Sequence, residues 1–226
     1  MADYEVRHSS KTTKGEGTNP VPGLNRRAEL VSQDSISALV EAGYGWVVSN
    51  PARETAVAGY AGAFSDTAAG FLVIDVPKDY AIIPFEFVLN QGGTVANAAW
   101  TLIITADNKV RFSSGGRALT VGAGIDNLRL DAPRAPAVTA YDSNSALTLA
   151  ANSKDITLWS QIMNADVTPA VDTYNVGVFT YSPKIPPIIG SDDSATSLVI
   201  YAYVATTAPS LFYSIKYVEV PFTWVN

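Results

Sequence analysis

Few residues in this chain could do chemistry. Its one histidine, His8, sits in a polar N-terminal stretch without apolar periodicity. A catalytic imidazole needs a rigid shell to orient it, so His8 reads as a solvated side chain. Cysteine is absent, which removes disulfides, thiolate catalysis and Cys-ligated zinc. Carboxylates remain. Glu86 and Glu219 both lie in apolar strand-like runs, where two acids across a groove would suit glycoside hydrolysis. The plainer reading makes each a strand-face residue paired with a cation. Asp192-Asp193 and Asp126-Asn127 read as solvated turns rather than calcium ligands, since no EF-hand spacing surrounds them. Gly115-Gly116 and Gly122-Ala123-Gly124 match neither a phosphate loop nor a dinucleotide fingerprint and read as turn residues. The sequence therefore points away from an enzyme, and it calls for no cofactor and no metal.

The elements that would position any site are mostly strands. Residues 1–28 form a polar segment, expected to be a flexible arm, and 29–226 form one β domain. A short helix is expected within 29–42, capped by Asp34 or Ser35 and stopped by Gly43. Strand-like runs follow at 70–76, 81–89, 99–105, 146–149, 155–162, 174–181, 198–205 and 212–224, with Pro77-Lys78-Asp79 as a turn. Asp107-Asn108 predicts a hairpin joining 99–105 to 109–112. Eight to ten strands with several long loops predict an all-β, two-sheet antiparallel sandwich.

Two features bear on partners. Net charge is −6, so the β body offers no broad basic face to nucleic acid. The exception is the arm, where Arg7, Lys11, Lys14, Arg26 and Arg27 face only Glu16 between positions 7 and 27. These five are the candidate nucleic-acid contacts. The late strands are apolar on both faces: Leu198, Ile200, Ala202 and Val204 on one, Val199, Tyr201 and Tyr203 on the other. That pattern requires either extra cover within the chain or contacts between copies. Tyr201, Tyr203, Tyr213, Tyr217 and Trp224 are accordingly the candidate interface residues. The longest apolar run, 80–89, is broken by Pro84 and Glu86 and is too short to span a bilayer as a helix.

The layout of a polar arm ending near Arg26-Arg27, a short helix and a β body closing on two aromatic strands resembles the viral single jelly-roll capsid proteins. The resemblance implies a jelly-roll sandwich and a structural subunit located in the virion. Its partners would be identical copies in a homo-oligomeric shell, and its arm would contact the viral genome weakly. The competing expectation is a carbohydrate- or receptor-binding β-sandwich, such as a phage fibre head or carbohydrate-binding module.

Overall fold

The structure is a computed structural model that describes residues 23–24, 30–31, 35–52, 54–92, 99–131, 134–144, 146–164 and 178–225. The chain divides into two compact units, 1–38 and 39–226. In the first, strands β1 (Gly23–Leu24) and β2 (Leu30–Val31) form a short antiparallel ladder. Helix α1 (Ser35–Glu41) lies within the expected 29–42 segment. Gly43 ends it as expected. Its positive φ of 84° lets Gly43 N–H reach the Val40 carbonyl while Tyr44 N–H reaches that of Leu39. This double bond pattern closes the last turn, and it needs a residue without a Cβ penalty.

The second unit is almost entirely β. Its strands are β3 (Gly45–Ser49), β4 (Val57–Ala58), β5 (Tyr60–Ala61), β6 (Gly70–Val76), β7 (Tyr80–Gln91), β8 (Ala99–Asp107), β9 (Phe112–Ser114) and β10 (Arg117–Val121). They continue with β11 (Gly124–Asn127), β12 (Thr139–Asp142), β13 (Thr148–Leu149), β14 (Asp155–Asn164), β15 (Val178–Tyr181), β16 (Ile189–Gly190), β17 (Thr196–Val204) and β18 (Ser210–Pro221). Hydrogen bonding links most of them into one nearly closed sheet, in the order β14-β8-β17-β6-β12-β10-β11-β3-β18-β7-β15. Every pairing along that path is antiparallel except β10 with β11, a parallel junction of two residue pairs. The junction divides the sheet into a β14-to-β10 half and a β11-to-β15 half.

Alternation builds the core from both halves. Leu198, Ile200 and Ala202 of β17 and Leu211, Tyr213, Ile215 and Tyr217 of β18 enter one buried cluster, with Trp46, Phe71, Phe87 and Trp100. Pro84 is tolerated inside the long strand β7 because β16 pairs only with residues 81–82 and β15 only with 87–90. On its other side the register shift between Lys216 and Tyr217 skips Phe85, next to the proline.

Two expectations need correction. Residues 99–105 and 109–112 do not form a hairpin: β8 pairs with β14 and β17, and β9 pairs with β13. The chain leaves β8 on a long excursion, 108–154, before returning as β14. Gly115 and Gly116, both with φ near 70°, turn that excursion back where β-carbons would meet the Ala146 and Asp142 carbonyls. The second correction concerns cover. The outward face of β17 is sealed by the chain itself. Val199 and Tyr201 pack with Val73, Ala69, Leu147 and Leu149, the two leucines coming from the excursion. The approach is close enough that a β-carbon on Gly70 would lie 2.7 Å from Leu149 Cδ1. Apolar residues on both faces of β17 thus reflect a third layer within one molecule.

Candidate functional site

The excursion is held down by carboxylates, and Arg111 is their meeting point. Arg111 has no exposed surface. Its Nε donates to the Ala150 carbonyl (2.8 Å), Nη1 to Asp107 Oδ2 (3.0 Å), and Nη2 to Asp66 Oδ1 (2.6 Å) and the Tyr201 hydroxyl (3.1 Å). The Arg111 backbone N–H donates to Asp75 Oδ1 and Ser197 Oγ, each at 3.0 Å, and Phe112 N–H donates to Asp75 Oδ2 at 3.2 Å. This capture of residues 111 and 112 by β6 and β17 explains why no hairpin forms. Strand β8 ends on Asp107, which also accepts from the backbone of Ser153 and Lys154 as the chain returns.

Two more acids fasten the rest of the excursion. Asp142, fully buried, accepts from Arg117 Nη2 (2.5 Å) and from the Tyr213 hydroxyl (2.7 Å). Glu219 is 1% exposed and accepts from the backbone N–H of Ala137 and Val138. Burial raises the Glu219 carboxyl above its ordinary range, against the pull of those two N–H groups and the Arg134 charge. Burial likewise raises Asp75, against Ser197 and the two backbone donors. At Asp66 burial pushes the same way. There the Asn152 N–H and the Arg111 hydrogen bond and charge outweigh it, and the pKa falls. The phenols of Tyr201 and Tyr213 are both raised, chiefly by burial.

Such an arrangement fastens one segment of the chain to another. Each of these acids already accepts hydrogen bonds from the protein, and the guanidinium at the centre is sealed from solvent. Glu86 forms a cross-strand ion pair with Lys216 at 2.7 Å, the plainer of its two sequence readings. Asp193 N–H donates to Ser191 Oγ in an exposed turn. Among the described residues no three His, Asp or Glu side chains are grouped to hold a metal ion.

Around the frame lie three open features. A groove of about 360 Å³ runs beside Asp75, Lys78, Val110, Thr139 and the rings of Phe112 and Tyr141. Those two rings stack at 3.6 Å between centroids, only 6° from parallel. A second hollow of about 260 Å³ is walled by Ile156, Ile188 and Ile189, with Lys154 beside them. The third is the rim strand β14, where Ile156 and Ile162 are 65% and 70% exposed.

The sequence-derived candidates separate clearly. Tyr201, Tyr213 and Tyr217 are at most 4% exposed within the single chain, so they are core residues and not interface residues. Tyr201 serves the Arg111 frame, while Tyr213 and Tyr217 point between the two halves from alternate positions of β18. Tyr203 is half-buried against Phe64, ring to ring at 5.3 Å. Trp224 is 53% exposed, 5.0 Å from the Tyr44 ring, which in turn carries the Arg134 guanidinium at 3.9 Å. Arg7, Lys11, Lys14, Arg26 and Arg27 lie outside the described residues, as does His8. Sequence reasoning missed the joint role of Arg111, Asp75 and Asp107, and read Asp107 only as a turn residue. The available signal was an acid inside the apolar run Gly70–Val76 and an Asp-Arg pair spaced 107/111.

Among the described residues no helix is long and apolar enough to cross a membrane. Searches of protein-family models, curated proteins and solved structures returned no match to the chain.

Proposed function

We propose that the chain is a structural subunit of a viral capsid, folded as a two-sheet jelly-roll sandwich, whose copies assemble laterally into the shell of a virion. Strand order is the observation that supports this most. Taking β3, β6, β7, β8, β14, β15, β17 and β18 as first to eighth, one half-sheet runs first, eighth, third, sixth. The other runs second, seventh, fourth, fifth. Two interlocked Greek keys have this order, and it is the strand plan of jelly rolls in viral capsids. A fold does not fix a function, so the reading also leans on the surface. Charged residues are only 16% of the chain, and the bare apolar positions gather at rims and ends. Burial of the tyrosines removes one argument for packing between copies and transfers that role to the rims. Interfaces of ~1,200–2,000 Å² each would hold a closed shell because every subunit makes several.

Sedimentation and negative-stain microscopy of the full chain across protein and salt concentration test the reading. Uniform particles are the expected result, and a monomer under every condition overturns it. The basic cluster before residue 28 is the proposed genome contact. Deleting 1–28 should abolish nucleic-acid binding, and the intact chain should lose affinity for duplex DNA with salt at a log–log slope of about −3.6 for four net charges. A second reading, a carbohydrate- or receptor-binding module, is favoured by the groove beside the Phe112–Tyr141 stack. Selective binding on a glycan array that is lost in Tyr141→Ala would support it over the capsid reading.

A further inference from the structure

The geometry points to β14 as the edge through which two copies of this chain pair, antiparallel and about a local two-fold axis. The sheet of one molecule would then run on into that of the other. The inference deepens the capsid reading and rests on it for the premise that copies associate.

Among the described residues β14 has one ladder partner, β8, and stands at the end of the sheet. A bulge at Thr157/Trp159 disturbs its start. From Trp159 to Asn164 it pairs with Ile104 to Ala99 without a slip. Natural edge strands are usually blunted by lysine, proline or extreme shortness. Here residues 156–164 carry no charge, no proline and no glycine. The strand is also held in place. Its Trp159 ring lies 4.6 Å from Tyr181 and 5.8 Å from Phe179 of the opposite half, and Met163 is buried. Ser160, Gln161 and Ile162 remain exposed. A rigid, extended and uncharged edge is already shaped for a partner strand, so little ordering cost attends pairing.

The identity of the partner strand follows from charge and symmetry. Two molecules of net charge −6 repel, and this rim lets them approach without placing like charges opposite one another. An isologous pair uses the same patch twice. To keep each face of the joined sheet continuous, its axis must pass through a residue rather than between two. Centring on Gln161 sets Ser160 against Ile162, Trp159 against Met163, and Gln161 against its own copy. A six-residue run is only ~20 Å long. It therefore falls short of a standard interface by itself and acts as one of several contacts.

The absence of cysteine makes the test clean. Residues on the axis of an antiparallel pair have Cα atoms ~4.5–5.5 Å apart, within disulfide reach. Ser160→Cys, Gln161→Cys and Ile162→Cys are oxidised separately in the otherwise intact full chain. One of the three should give a disulfide-linked dimer in high yield, with the others far behind. Ile162→Lys, with its fold checked by circular dichroism, should weaken self-association at least tenfold. The pairing is overturned if none of the three cross-links, or if Ile162→Lys leaves association unchanged. That includes the case in which another segment of the same chain occupies the edge. Particles without cross-linking leave the capsid reading standing and remove this one. Cross-linked dimers that never form particles do the reverse.

Discussion

Strands β14 and β17 flank β8 on either side, yet they live in opposite surroundings. β17 has a ladder on both edges and is covered on both faces, with Ile200 and Tyr201 pointing opposite ways and both buried. Among the described residues β14 has one ladder, seven of its ten residues are exposed, and Leu158, Trp159 and Met163 anchor it inward. Part of the 108–154 excursion, with Leu147, Leu149 and Phe112, lies against the centre of this half-sheet and buries its second apolar face, while the rim stays bare. The rest of it joins the sheet, β12 pairing with β6 and β11 with β3.

That contrast can be broken first at its fastening. Arg111→Ala should cost about 3–5 kcal/mol, because it leaves Asp107 and Asp66 without their cation in an enclosed site. Urea unfolding measures this, and a loss below ~1 kcal/mol would mean the excursion is not held there. Next comes the cover itself. Leu149→Ala should cost about 2–4 kcal/mol, the usual toll for emptying a packed site. It should also raise Tyr201 fluorescence quenching by added iodide. At the rim, Ile162→Ala should change monomer stability by no more than ~0.5 kcal/mol.

A subtler prediction concerns pH. Asp75 and Glu219 have folded pKa values above their unfolded ones, so the folded state holds their protons more tightly. Their ionisation opposes folding, and stability should rise as pH falls from neutrality through those raised values. The gain is complete near the unfolded values of ~4. Asp66 is depressed and acts in the opposite sense: its contribution is present above ~4 and is lost below it. Thermal midpoints followed from pH 7 to 3 should therefore climb and then fall. Glu219→Gln should flatten the climb, and an unchanged profile would show that its carboxyl does not titrate against folding.

Much of this architecture was legible from period and punctuation. The runs at 70–76, 81–89, 155–162 and 198–205 are strands, Gly43 ends the helix and Pro77-Lys78-Asp79 turns the chain. The cover was not legible. Alternation announces that Val199 and Tyr201 need burial. It cannot say whether the burying leucines stand some fifty residues earlier in the same chain or in another molecule. For the same reason Tyr213 and Tyr217 were expected at an interface, although alternate positions of β18 turn them into the core. Arg111 escaped notice because all its side-chain partners but Asp107 are distant in sequence. An Asp-Arg spacing of four does not by itself tell a guanidinium bound for the interior from one bound for solvent.

Those separations also constrain the order of events when the chain folds. Arg111 and Asp75 are 36 residues apart, Arg111 and Tyr201 are 90, and Tyr201 and Asp66 are 135. The Asp66, Asp75 and Asp107 side of the guanidinium's seat is made before the excursion is, whereas Ser197 and Tyr201 join it only once β17 has emerged. During synthesis the outer layer is therefore held by its carboxylates first and closed by β17 later.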